Sequence, residues 1–417
     1  MSASSEERKI PLWLEHCQSS PTHLSTVFET LASREHVREN ARAASRHQSH
    51  PSRTHRLVHL PSTLTKDPEN VNHYSVSIAW HPKYKDYNRY SDVEPYDRTR
   101  VVVGHGGAEP SGRYLNASWV RELSGGKWWI ATQAPLPHTT HAYLSVLLQP
   151  ISRPPPELHP TLSDHAGTKT CRIRTVVQLT QNFEKGMRKA HVYFPPIVGE
   201  SWIIEAEKGC TAPSVKVALL KVRNIDEAHC VESFVSIQPV SATHQDEGEL
   251  VVFRHLLYGS WPDHGVPKHE DRDALLNFVY LVDSVNRDLS DQPTEIPEHL
   301  DPDPPIMVNC SAGIGRTGSF IAISSLLRTY GFLPPPASLL HDSSTGLPSL
   351  LPSPLGPLSD EIADDLVAQE IDALREQRPG MVQRPDQVTL IYDLLITAFI
   401  DAIAGEKAQR QSSKGTH

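Results

Sequence analysis

The chain has 417 residues, 38% of them hydrophobic and 21% charged, enough to bury a sizeable core in one large or two ordinary domains. A formal charge of −9 excludes a broadly basic nucleic-acid-binding surface, although it leaves room for a small positive pocket. Five cysteines (Cys17, Cys171, Cys210, Cys230 and Cys310) are odd in number and contain no C-x-x-C pair. A disulfide framework and a zinc ribbon are therefore not expected, and reduced thiols in a cytoplasmic protein are.

Residues 1–70 read as a polar extension, partly helical or disordered, without the apolar core of a signal peptide. Arg34, Arg38, Arg42 and Arg46 recur every four residues and would line one helical face. A solvated helix running into a disordered tail is the plain expectation, and an anionic partner such as a phospholipid head group is the alternative. Residues 71–405 read as one α/β unit. Arg174–Leu179, Ser214–Val222, Phe234–Ile237 and Ile306–Val308 are apolar, β-branched runs that suggest strands. Asp271–Leu289, Thr317–Thr329 and Asp360–Gln377 carry helical patterning.

Proline-rich Ser152–Pro160 interrupts the unit. The longer Phe332–Ser359, with Pro334-Pro335-Pro336, is expected to be a disordered insert of about residues 332–359, because it lacks a periodic apolar face. Val388–Ala404 is the most apolar stretch, but Asp393 and Asp401 interrupt it and it is short for a bilayer. It reads as a core-facing helix, with residues 406–417 as a tail and no transmembrane segment.

Two segments carry chemistry. In Ile306–Gly318 an apolar strand runs into small residues and then into a helix, which can aim consecutive backbone N–H groups and a helix N-terminus at one anion. Gly313–Gly318 also matches the bare pattern G-x-G-x-x-G. The acidic residue that a dinucleotide site needs some 20 positions on would fall in Pro334–Leu340, which cannot be a central strand. Instead, Cys310 stands at the mouth of the nest with Arg316 six positions later. Such surroundings lower a thiol's pKa, and a guanidinium can grip two phosphate oxygens at once. In Trp261-Pro262-Asp263-His264-Gly265-Val266-Pro267, a carboxylic acid sits on a loop that can pivot, suited to protonating a leaving oxygen. The 23 histidines show no H-E-x-x-H spacing, so no metal or other cofactor is expected in the reaction.

These segments resemble the classical, non-receptor type of protein-tyrosine phosphatase, over roughly Tyr87 to Leu395. Cys310–Thr317 is similar to that family's phosphate loop and Trp261–Pro267 to its mobile acid loop. Asn88–Val93 with Pro95-Tyr96-Asp97 resembles the phosphotyrosine-recognition loop. Tyr114–Ser118 and Ala131–Pro135 resemble two strand motifs, Phe183–Lys189 a loop carrying a glutamate and a lysine, and Gln383–Gln387 the loop that positions water.

The resemblance implies a twisted mixed β-sheet flanked by helices and a signalling hydrolase acting on phosphotyrosine-containing proteins. It further implies that Cys310 attacks phosphorus, Asp263 protonates the leaving group, Gln383 orients water and Thr317 hydrogen-bonds the sulfur. Arg316 and the amides of Ser311, Ala312, Gly313, Ile314 and Gly315 would hold phosphate oxygens. Tyr90 would pack on the substrate ring, Asp92 would capture a substrate amide, and Gln387 would join the substrate site. Glu184, Lys189, Trp261 and Asn309 would support them. By themselves, Glu184 and Lys189 read equally well as an exposed charge pair.

Asn309 stands where the family has histidine, and asparagine cannot carry positive charge. A catalytically weakened pseudophosphatase that binds phosphotyrosine is thus the alternative, and a broad phosphatase acting on phosphoserine or a phosphoinositide is a third reading.

Overall fold

In a computed structural model, the structure describes residues 8–49, 68–104, 112–150, 154, 171–241, 243, 245–246, 248–263, 265–292, 300–337 and 352–414. Along the chain these form α1 (Leu12–Ser19), α2 (Pro21–Ser49), α3 (Pro68–His73), β1 (Arg100–Val103), β2 (Arg113–Arg121), β3 (Trp128–Thr132) and α4 (Thr140–Leu148). Next come β4 (Thr175–Gln178), β5 (Phe183–Glu184), β6 (Met187–Arg188), β7 (Ser201–Ile204), β8 (Ser214–Ile225), β9 (Cys230–Val240) and β10 (Val251–Tyr258). The remainder is α5 (Arg272–Arg287), β11 (Ile306–Asn309), α6 (Gly315–Thr329), α7 (Leu366–Gln377) and α8 (Pro385–Lys414).

Nine strands make one mixed sheet in the order β1-β2-β3-β11-β4-β10-β9-β8-β7, while β5 and β6 form a separate hairpin. The four central strands, β3, β11, β4 and β10, are mutually parallel, and the outer ones pair antiparallel. The central strands are buried on both faces, so their side chains alternate between two cores. Ile306 and Val308 of β11 join the cluster of α5, α6, α7 and α8, whereas Met307 joins the one beneath α4. Parallel strands end together, so the loops after β3, β4, β10 and β11 all open at one edge, where open α/β sheets hold ligands.

The N-terminal helices belong to the same body. Leu14, Cys17, Val27 and Leu31 lie in the core cluster of α5 to α8. The arginine stripe is not solvated as expected. Arg34 grips Asp372 through two nitrogens at 2.9 and 2.8 Å. Arg38, fully buried, reaches Asp372 at 2.6 Å and Glu376 at 2.6 and 2.9 Å. Arg42 meets Glu35 at 3.0 Å, and Arg46 meets Glu94 at 2.6 Å. The anions that the stripe's spacing calls for thus come from within the chain.

Residues 338–351 of the expected insert lie outside the described residues, as do 152–153 and 155–160 of the shorter one. The flanks of the long insert are packed: Leu333 is buried, and Arg34 donates to the carbonyls of Leu355 (3.2 Å), Gly356 (2.7 Å) and Pro357 (3.3 Å). α8 continues to Lys414, through most of the stretch expected as a tail. Pro385–Gln409 is long and apolar enough to cross a membrane. Its apolar face is instead built into the core through Val388, Ile391, Leu394, Leu395 and Phe399.

Candidate active site

β11 delivers Cys310 to the open edge of the sheet, and α6 starts five residues later with its N-terminus facing back. The loop between them is held by long-range backbone bonds. Leu179 N–H donates to the Asn309 carbonyl (2.8 Å), Ala134 N–H to Ser311 (3.0 Å) and Val382 N–H to Ile314 (3.2 Å). Gly313 has φ +73°, and a Cβ there would lie 2.1 Å from the Thr132 carbonyl oxygen. Only glycine fits this position, for backbone conformation and for space alike.

The Gly313 amide points at Cys310 Sγ, 3.2 Å away. Burial raises the thiol's pKa, but the Arg316 guanidinium, the Thr317 hydroxyl and amide and the Ile314 amide together outweigh it, so the pKa lies below the ordinary value. Thr317 Oγ1 is buried and has no hydrogen bond of regular geometry among the described residues, which leaves the sulfur as the group it serves.

Arg316 is fixed by a bidentate pair with Glu184, at 2.6 Å on each side, and by a 3.0 Å bond to the Leu179 carbonyl. Its Nη2 also donates to Asp263 Oδ1 at 3.0 Å. All four terminal N–H groups are thereby engaged, and only the Nε–H remains outside these bonds. Lys189 Nζ holds the other carboxylate oxygen of Asp263 at 2.7 Å. Glu184 and Lys189 are therefore not an exposed charge pair; each serves a different member of the site. The acid loop is closed on itself by Trp261, whose Nε1–H donates to the Gly265 carbonyl at 3.1 Å while its ring is buried; His264 lies outside the described residues.

The cavity at this edge, about 490 Å³, is lined by Cys310, Ser311, Ala312, Ile314, Gly315 and Arg316 from the loop and by Asp263 and Lys189 opposite. Tyr90, Asp92 and Val93 form one wall, and Gln383, Arg384 and Gln387 another. Ser311 Oγ donates to the Lys189 carbonyl (2.7 Å), so the 2.9 Å contact with Tyr90 is made by the tyrosine hydroxyl donating. Asp92 and Gln383 are exposed at the mouth. Gln387 is buried against Gly315, where a Cβ would come within 3.0 Å of its Nε2. Asn309 stands behind the cysteine, donating to the Cys310 carbonyl (3.1 Å) and accepting from the Tyr143 hydroxyl (3.3 Å). Cys310, Ser311, Ala312, Ile314, Gly315, Arg316, Asp263, Lys189, Tyr90, Asp92, Gln383 and Gln387 thus line one cavity, while Glu184 and Thr317 contact its members from outside the lining.

The family model for the protein-tyrosine phosphatases matches residues 84–151 and 169–331, more than half of the chain. The chain belongs to this family. Among similar proteins, the rat tyrosine-protein phosphatase non-receptor type 2 is 27% identical over 332 residues, covering 78% of this chain and 59% of the relative. The Caenorhabditis elegans tyrosine-protein phosphatase Lar-like is 27% identical over 330 residues, 79% of this chain and 11% of that one. The chicken receptor-type tyrosine-protein phosphatase eta is 30% identical over 246 residues, 58% of this chain and 13% of that one. The chain therefore spans less than two thirds of the length of the curated relatives it matches.

Within this member of the phosphatase family, sequence reasoning missed Arg378. It is fully buried just past α7 and donates to the carbonyls of Gly313 (2.7 Å) and Ala312 (3.0 Å), to Asn116 Oδ1 (2.9 Å) and to Ser118 Oγ (3.2 Å). It turns the loop's carbonyls away from the pocket, which leaves the amides facing inward. Burial lowers its pKa to about 10. Asn116 links this clamp to the recognition loop by donating to the Val93 carbonyl (2.7 Å), and Gln133 accepts from the Arg89 amide (2.8 Å). A lone arginine in an ordinary helix ending gives no sequence signal; Asn116 and Gln133 lay inside recognised motifs but had no assigned role.

Proposed function

We propose that this chain hydrolyses phosphotyrosine in proteins, in the cytoplasm, through a cysteinyl-phosphate on Cys310. The Cys310 thiolate attacks phosphorus, the bond from phosphorus to the tyrosine oxygen breaks, and Asp263 gives its proton to that oxygen. Water positioned by Gln383 then attacks phosphorus, Asp263 takes up the proton, and the sulfur leaves to give inorganic phosphate. Arg316 and the loop amides stabilise the equatorial oxygens where charge develops. Tyr90 packs against the substrate ring, and Asp92 receives a backbone amide of the substrate.

The observation that carries this reading is the convergence of a thiol of lowered pKa, a latched guanidinium and a carboxylate on one cavity. Hydrolysis is favoured over the pseudophosphatase reading because Asn309 donates to the Cys310 carbonyl, supporting the loop without a charge. The test is turnover of phosphotyrosine and phosphoserine peptides by the parent protein and by Cys310→Ser. Turnover of the phosphotyrosine peptide alone, abolished in Cys310→Ser with phosphopeptide binding retained, is expected. Binding without turnover in the parent would instead establish a pseudophosphatase.

A further inference from the structure

The junction of the two N-terminal helices carries three ligand-type side chains that the phosphate pocket does not use. Cys17 near the end of α1, His23 in the first turn of α2 and Asp365 at the N-cap of α7 converge from different parts of the chain. Cys17 Sγ lies 3.1 Å from His23 Nε2, Nε2 lies 2.8 Å from Asp365 Oδ2, and Sγ lies 3.5 Å from the same oxygen. Cys17 and Asp365 are buried, and the His23 side chain, 10% exposed, gives a route from solvent.

Hydrogen bonds to Asp365 Oδ2 from the Cys17 thiol and the His23 ring can hold this triangle, but they leave the 3.1 Å approach of Sγ to Nε2 without a hydrogen of its own. A ring nitrogen carries one proton or one lone pair, so Nε2 can serve Asp365 or Cys17 but not both. Yet it is in close contact with each. Oδ2 already accepts from the Tyr392 hydroxyl at 2.5 Å, and Oδ1 from the Ala368 amide at 3.0 Å.

We propose that Cys17, His23 and Asp365 hold a zinc ion that clasps the N-terminal helix pair to α7. With Zn–S near 2.3 Å and Zn–N and Zn–O near 2.0–2.2 Å, the edges of a tetrahedral site are roughly 3.4–3.6 Å, so the three atoms need part by only about half an ångström. One thiolate, one imidazole and one carboxylate are a donor set suited to zinc rather than to magnesium or cuprous ion. A thiolate and a carboxylate also cancel the ion's two charges, which suits a buried position. The fourth position is left for water. Tyr392 orients the ligating carboxylate from behind, and on binding the Cys17 thiol proton passes to solvent as the sulfur–zinc bond forms.

The test uses the full chain with Cys310→Ser, so that the pocket thiol cannot bind metal, and Co²⁺ as the spectroscopic probe. One equivalent retained through gel filtration, with tetrahedral visible bands and a thiolate-to-cobalt charge-transfer band, is expected. Adding Cys17→Ser should abolish the charge-transfer band. His23→Gln should lose stoichiometric binding, and Tyr392→Phe should weaken affinity by about 10–100-fold. Zinc should raise the melting temperature of the parent and not that of the Cys17→Ser protein, whose fold is checked by circular dichroism without metal. Absence of the charge-transfer band, or a band that survives Cys17→Ser and so arises from Cys171, Cys210 or Cys230, would overturn the proposal.

Discussion

Burial alone would keep the Cys310 thiol protonated, so its lowered pKa has to be assembled from neighbours: Arg316 first, then Thr317 and the inward amides. The thiolate is present above that pKa and lost as pH falls through it. Alkylation by iodoacetate should therefore persist below the ordinary thiol range near pH 8.5. Arg316→Ala should move the alkylation midpoint up, and Asn309→His should move it down by adding a charge behind the loop. A parent profile centred on an ordinary thiol would contradict the electrostatic account. Arg378 gives a second residue-scale prediction. Arg378→Met would take the donor from the buried Gly313 carbonyl, at about 1–3 kcal/mol, and from the half-buried Ala312 carbonyl at less. Chemical denaturation should show that loss, with the alkylation midpoint rising as the amides lose their orientation.

At the scale of elements, four parallel strands end together: the loop after β11 brings Cys310 and Arg316, that after β10 Asp263, the segment after β4 Glu184 and Lys189, and the loop after β3 the Ala134 amide that props Ser311. Replacing the carboxyl group on the acid loop, Asp263→Ala, should slow turnover of phosphotyrosine peptides by about 10²–10⁴-fold; an unchanged rate would mean another group supplies the proton. Two of the central strands and several helices were legible because periodicity and β-branching act locally: Ile306–Val308 and Thr317–Thr329 were read within two residues of their observed limits, whereas β10, Val251–Tyr258, was not read as a strand. The site was legible where its residues sit in contiguous motifs. Arg378 was not, because its partners are backbone carbonyls more than 60 positions away, and no spacing along the chain records such a contact. The same holds for α2. The four-residue repeat of its arginines was visible, but its complement, Asp372 and Glu376 spaced four apart on α7, lies over 330 positions later.

For the molecule as a whole, that comb of charges joins the first helices to the last third of the chain. Burial opposes ionisation of Glu376, but hydrogen bonds from His73, Arg38 and Tyr74 hold its pKa down at about 2. A depressed carboxylate contributes stability that is full above its unfolded value of roughly 4.3 and is lost as pH falls toward 2. Arg38→Ala removes the buried partner that Asp372 and Glu376 share, leaving Asp372 to Arg34 and Glu376 to His73 and Tyr74, so unfolding should become easier by about 1.5–3 kcal/mol near neutral pH. Denaturant melts should show the gap to the parent narrowing on acidification as Glu376 protonates; a constant gap would mean that packing, not charge, joins the helices.

The acid loop brings Asp263 against a guanidinium whose terminal hydrogens are all taken. A phosphoryl group can be gripped through both Nε and Nη2 only after Asp263 lets go, so substrate and aspartate are rivals for one donor. On the proposed reading entry is a displacement: a phosphoryl dianion takes the Nη2 hydrogen from the Asp263 carboxylate, which must pick up a proton from solvent before it can pass one to the leaving oxygen.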